Sequence, residues 1–440
     1  MRSHKSSARL LATLAGLTLA LTACTSAPAT DPNKDDAAGY DPAAKVTITW
    51  WTGQTSDAEA LAEELAKEYT GLHPNVTINV SSGAATTDEL LTKLSAGFVG
   101  GNYPDISYAY GSWATELGRS GKTQNLTSYV AEPAMGWNEI PAAARTTATV
   151  DGRVIGVPAL VDNLGLIYNK DLFDEAGVAY PTDTWSWDDY RAAAKKLTNQ
   201  AKNIYGSAYS VSASEDTTWH LWPMLWQRGG RILDDGGKPA FNSTAGVGAL
   251  ELLRAMAVDD KSMYLDQTDE KYPALFRSGN IGMMMSGPWE LYELKDAEVN
   301  YGVTYLPGFN GDHQTVSGPD LWVLFGHSDP NRAGASRAFI RWLTSKDIDA
   351  RWNLSNGNLP LRSSEAGTPE FQTYVKDYAP GAQKFFDNLA NAKQARPTVS
   401  GYVEMSRYVG EAIAKVLQGT ASPKDALDDA AKRSTSALAN

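Results

Sequence analysis

The stretch that most constrains the fold runs from Gly156 to Asp171. Gly156-Val157-Pro158-Ala159-Leu160-Val161 is apolar, Asp162 and Asn163 interrupt it, and Leu164 to Tyr168 resume it. A strand buried on both faces reads as a continuous apolar run. Two polar side chains inside such a run are costly unless something hydrogen-bonds them. Either the backbone satisfies them at a bend, or the strand crosses between two lobes and presents both groups to a solute in a cleft. A second apolar crossing, Val316 to Phe325, carries a single charge at Asp320 and looks like the partner of the first. Asn356-Gly357-Asn358-Leu359-Pro360 is a third break.

Around these crossings strands and helices alternate. Val46 to Trp50, Val76 to Val80 and Ile106 to Tyr110 read as strands, with helices over 58–69 and 88–98. Such alternation means βαβ units and a mostly parallel sheet, an α/β fold. With 440 residues, 42% of them apolar, the chain can build two or three compact domains. Ligands of open α/β sheets sit outside the carboxyl ends of the strands. That rule nominates the loop containing Gln54 and the loop Tyr108 to Trp113, with Tyr110 and Ser112; either could equally be an ordinary connection. Farther on, Ile281 to Met285 is a buried strand ended by Ser286-Gly287-Pro288-Trp289. Gly287 and Pro288 fix the backbone there, so the Trp289 ring is held at a strand end, either as a flat platform or as a core residue. Trp219, Trp222 and Trp226 fall within eight positions. The i,i+4 pair Trp222 and Trp226 suits a core, while Trp219 lies nearer the helix start, where it can face a cleft. Arg396 sits in an irregular segment with no acidic neighbour in sequence.

Several classes drop out. The net charge of −12, without a long basic run beyond the N-terminus, argues against a nucleic-acid partner. One cysteine and five scattered histidines leave no disulfide and no expected metal site. No phosphate-binding glycine loop, dinucleotide fingerprint or nucleophile elbow occurs, and no cofactor is expected. Among 51 acidic residues no glycosidase pair announces itself. Residues 1–23 have the basic start, short apolar run and small residues of an export signal. Leu21-Thr22-Ala23-Cys24 resembles the bacterial lipobox, which implies that Cys24 is lipidated and becomes the mature N-terminus; the alternative is an incidental thiol. Residues 24–44, with almost nothing to bury, read as a disordered tether.

Taken in order, these pieces resemble the extracellular solute-binding proteins of ABC importers, in the carbohydrate-binding group that includes maltose-binding protein. The resemblance is carried by the lipobox, His73-Pro74-Asn75-Val76, Pro104-Asp105-Ile106, Asp151-Gly152-Arg153 with Gly156-Val157-Pro158, Ile167-Tyr168-Asn169-Lys170-Asp171, Phe276-Arg277-Ser278-Gly279, Ser286-Gly287-Pro288-Trp289 and Tyr301-Gly302-Val303. It covers about residues 45–440. It implies a periplasmic-binding-protein-like α/β fold, with two lobes joined by a multi-strand hinge around an interlobe cleft. The N-terminal lobe would hold 45–160 and 320–362, and the C-terminal lobe 161–319 and 363–440. It implies a carbohydrate ligand, an ABC permease as partner, membrane attachment through lipid and a monomer. Implied ligand positions are Asp162 and Asn163, the stacking rings Trp289 and Trp219, the loop residues Gln54, Tyr110 and Ser112, the turn at Gly287, the second interruption Asp320, and Arg396. Gln54-Thr55 stands where maltose-binding protein has a charged pair, so maltose itself is not implied. The rival solutes and roles are a phosphorylated solute such as a glycerophosphodiester held by Arg396, an exported glycosidase, and a lipoprotein that only adheres to polysaccharide.

Overall fold

Two five-stranded sheets, each in its own hydrophobic core, organise the computed structural model. The structure describes residues 35–439, apart from 55, 85 and 86. The expected export signal and Cys24 lie outside the described residues.

The first sheet takes its strands from both sides of the central stretch. They are Val46–Trp51 (β1), Val76–Ser81 (β2), Ile106–Ala109 (β3), Gly156–Leu160 (β4) and, after a long excursion, Asp320–Leu324, which is β10 in chain order. Their order is β2-β1-β3-β10-β4, parallel from β2 to β3 and antiparallel on both flanks of β10. Val46, Ile48 and Trp50 alternate inward on β1, whereas β4 and β10 are buried throughout. That contrast is the period-two pattern of a half-covered strand against the apolar run of a covered one. Trp50 packs edge-on to Trp322 and Phe339, with ring centroids 5.2 Å apart in both cases.

The second sheet holds Gly165–Asn169 (β5), Tyr205–Ser210 (β6), Met263–Asp266 (β7), Ile281–Ser286 (β8) and Tyr301–Thr304 (β9) in the order β9-β5-β8-β6-β7. The central stretch therefore ends one sheet at Leu160 and enters the other at Gly165. Two further passages run beside it. Asn163 bridges to Ser317 ahead of β10, and Val161 bridges to Leu359 after it. All three breaks read from the sequence are crossings between the sheets. The sequence reading passes over β7, whose four residues Met-Tyr-Leu-Asp are short and do not alternate.

Helices complete each layer. Helix Tyr402–Leu417 buries Tyr402, Met405, Val409, Ala412, Ile413 and Val416, a stripe at three- and four-residue spacing. Trp222 and Trp226 are core residues, as the i,i+4 spacing suggests, and the Trp222 indole donates to the Tyr402 hydroxyl at 3.1 Å.

The reading of 24–44 as a tether needs correction where the structure describes it. Residues 35–44 are docked on the first sheet's helices. Asp35 pairs with Arg337 at 2.7 Å, the Asp41 N–H donates to Asn331 at 2.9 Å, and the Tyr40 ring lies on the notch left by Gly334. One aromatic ring and a few polar pairs are enough to hold a segment whose composition has little to bury.

Candidate functional site

Where the carboxyl ends of the strands converge, two adjoining cavities open. The first, about 370 Å³, is lined by Tyr110 after β3, Asp162, Glu215, Asp216 and Trp219 after β6, Asp269 after β7, Trp289 and Glu290 after β8, Gly318, Asp320 and Arg396. The second, about 340 Å³, shares Asp162, Trp289 and Asp320 with it and adds Gln54, Asn356 and Asn358. Both fall within the roughly 300–1,000 Å³ of small-molecule sites.

Two indoles form the apolar wall. Trp219 and Trp289 stack with centroids 5.8 Å apart and planes at 28°. The Trp219 Nε1 donor is buried with no hydrogen-bond partner among the described residues. Gly287 sets the other ring. Its φ of −115° suits any residue, but a Cβ there would overlap the six-membered ring of Trp289. The glycine is thus a space requirement rather than a backbone one, and it contributes through Trp289 without lining a cavity.

Facing the indoles is a pair of buried carboxyls. Asp162 lies between β4 and β5, and its Oδ1 accepts the Gly318 N–H at 2.9 Å. Asp320 opens β10, accepts a hydrogen bond from the Tyr108 hydroxyl, and takes the Gly111 N–H at 3.2 Å. Burial, and then the Asp320 charge, holds the Asp162 carboxyl well above the usual range. Burial pushes Asp320 up to about 6, against the pull of the Tyr108 hydrogen bond and Arg396. Like charges confined in one low-dielectric site cannot both ionise cheaply. Glu290 is likewise pushed up to about 7 by burial.

Arg396 has the acidic neighbour that the local sequence lacks. Its Nη1 meets Glu215 Oε1 at 2.8 Å, and Glu215 also accepts from Tyr402 at 2.9 Å and from Ser406. Burial alone would lower the guanidinium's pKa, but the Glu215 carboxylate raises it. Arg396 also lies 5.8 Å from the Trp219 ring centre.

Of the ten residues singled out in sequence, Asp162, Asp320, Trp219, Trp289, Tyr110 and Arg396 meet at the first cavity. Gln54 lines the second. Ser112 is buried in the turn Gly111–Trp113 and lines neither. Asn163 is not brought to the cavities either. It is fully buried, donates to the Phe385 carbonyl at 2.8 Å and accepts from Asn388 at 2.7 Å. Asn163 is a group satisfied at a bend, whereas Asp162 accepts a backbone N–H and also lines both cavities. Glu215, Asp216, Asp269 and Glu290 escape the sequence reading. The strand-end rule applied to β6 would have found the first two. Asp269, which collects the hydroxyls of Ser210, Ser212 and Ser214, follows the unread strand β7.

Two α/β sheets, three crossings and a cavity at the strand ends define a two-lobed, periplasmic-binding-protein-like solute receptor. The chain belongs to the bacterial extracellular solute-binding proteins, whose family model matches residues 64–380. Among solved structures it is similar to an ABC substrate-binding protein of Listeria monocytogenes in complex with cycloalternan. That one is 25% identical with a TM-score of 0.79, and the match covers 90% of this chain and 99% of the other. The cyclic alpha-maltosyl-1,6-maltose binding protein of Arthrobacter globiformis is 26% identical with a TM-score of 0.76, over 89% and 99% of the two chains. An sn-glycerol-3-phosphate-binding periplasmic protein of Brucella melitensis biotype 1 is 24% identical over 426 residues, 90% of this chain and 94% of its own. No helix among the described residues is long and apolar enough to cross a membrane.

Proposed function

We propose that this chain is the solute-capturing component of an ABC sugar importer, holding a mono- or oligosaccharide in the cleft and passing it unchanged to a membrane permease. The observation that carries this reading is the stacked pair Trp219 and Trp289 opposite the carboxyls of Asp162 and Asp320. A pyranose has an apolar C–H face and a rim of hydroxyls. The indoles cover the face, and the acids, with Tyr110 and, across the shared wall, Gln54, satisfy the rim. Each hydroxyl or partner left unpaired on burial costs roughly 1–3 kcal/mol, which gives the site its selectivity. The two relatives solved with or named for cyclic oligosaccharides support the ligand class. In this reading the hinge is made by the three crossings. The lobes are 45–160 with 320–362, and 161–319 with 363–440. Cys24 carries the lipid, the protein acts as a monomer, and no bond in the solute is broken.

The test is a thermal-shift screen against mono- and disaccharides, followed by calorimetry with the best ligand. Binding to the native state alone raises the melting point. Trp289→Ala should then weaken affinity at least about tenfold, since aromatic contacts of this kind are large in area. An unchanged affinity removes that ring from the site, and turnover of the sugar at catalytic protein concentration refutes the receptor reading.

The glycerol-phosphate-binding relative favours a second reading, a phosphorylated solute. A phosphate needs a free cation. Among the described residues Arg396 is the one base lining the first cavity, and Glu215 already engages it. A melting-point rise with sn-glycerol 3-phosphate and none with sugars would reverse the choice.

A further inference from the structure

Acidic groups outnumber basic ones around the first cavity among the described residues. Six carboxyls line it, those of Asp162, Glu215, Asp216, Asp269, Glu290 and Asp320, against the single cation Arg396. Three of the six have bases nearby. Arg396 meets Glu215 at 2.8 Å, His220 stands 3.5 Å from Asp216, and Arg277 stands 3.8 Å from Glu290. The other three are ion-paired to no base among the described residues. Asp162 has a backbone N–H, Asp320 a tyrosine hydroxyl and a backbone N–H, and Asp269 three serine hydroxyls. A buried acid without a base keeps its proton, because an unpaired charge is costly in a low dielectric, and gives it up when a cation arrives. Here the Asp162 and Asp320 pair stands beside two stacked indoles whose faces also attract cations.

Resting on the sugar reading of this same cleft, we propose that the preferred solute carries a basic nitrogen: an amino sugar or an amine-containing oligosaccharide. The ammonium group sits between Asp162 and Asp320, against the Trp219 and Trp289 faces, and supplies the ion-pair partner that these two carboxyls lack. A carboxylated or phosphorylated sugar would add like charge and is excluded by the same imbalance. Burial and mutual repulsion hold a proton on the carboxyl pair in the empty cleft. An arriving ammonium favours the ionised form, so that proton leaves to solvent as the ligand binds.

Matched pairs test this: glucosamine against glucose and deacetylated chitobiose against cellobiose, by thermal shift and then calorimetry in phosphate and ACES buffers at pH 6.5. The expected result is that in at least one pair the amine member binds about tenfold tighter or more, with heats that differ between buffers because protons are released. Asp320→Asn, with Asp269→Asn as a second variant if the first fails to fold, should shrink that preference severalfold. Equal or tighter binding of the neutral member in every pair that binds overturns the inference and leaves the sugar reading standing. So does an amine preference that neither variant alters. If no member of any pair raises the melting point, the inference falls together with the sugar reading.

Discussion

Gly287→Ala isolates the stacking platform from everything else in the cleft. The backbone there, φ −115° and ψ −174°, is open to alanine, so the substitution adds no conformational strain. The added methyl would lie nearer than 3.0 Å to three ring atoms of Trp289. To restore ordinary contact near 3.5 Å the indole must retreat by roughly 1.5 Å. That moves it out of register with Trp219, now 5.8 Å away at 28°. An aromatic pair contributes about 0.5–1.5 kcal/mol beyond its buried area. A tilted platform also loses part of its contact with the sugar face. The expected sum is a five- to tenfold weaker affinity, roughly 1–1.4 kcal/mol, with the fold retained. Calorimetry with the sugar identified by screening reads the affinity, and tryptophan fluorescence of the free protein reads the ring movement. A Gly287→Ala protein whose fluorescence and affinity both match the parent would show that the ring does not depend on the missing side chain.

The remaining predictions concern the polar groups. Asp320 titrates at about 6 when folded, against about 4 unfolded. The folded state therefore holds the proton more tightly, and stability should fall as pH rises from about 4 to about 6, by on the order of 3 kcal/mol at most. Asp320→Asn should flatten that part of a melting-point profile; a slope as steep as the parent's would contradict the assignment. Arg396→Ala leaves Glu215 with only hydroxyl partners. It should destabilise by about 3 kcal/mol, read by urea unfolding, and Arg396→Ala with Glu215→Gln should recover part of the loss. Asn163→Ala should cost about 2 kcal/mol by the same measurement while leaving sugar affinity within twofold, because both its polar atoms are used inside the hinge.

The sequence was most informative where burial made a polar residue conspicuous. Asp162 and Asp320 are visible because a carboxyl in an apolar run violates the pattern around it, and both reach the cavity. The same logic cannot separate Asp162 from Asn163. Adjacent positions on a crossing point in opposite directions, and only the fold shows that Asn163 faces Asn388 and the Phe385 carbonyl. Trp289 is legible because a rigid Gly-Pro turn fixes a large ring. The Arg396 and Glu215 pair is not, since 181 positions separate them and no local rule joins residues so distant. Met263–Asp266 lacks a strand's usual alternation, so Asp269 beyond it goes unnoticed too. The docking of residues 35–44 depends on a notch at Gly334 that composition cannot reveal.

β10 completes a sheet begun at β1 after the other sheet has been laid down entire, and the helices from residue 402 onward return to the core of that other sheet, so neither half of this molecule is a contiguous piece of chain. No single truncation point releases one half intact. A break in a surface loop between Asn169 and Asp320 would leave two fragments that each hold strands the other needs. During synthesis the first sheet stays incomplete, missing the strand between β3 and β4, until residue 324 has emerged. The sheet that starts first is therefore the sheet that finishes later.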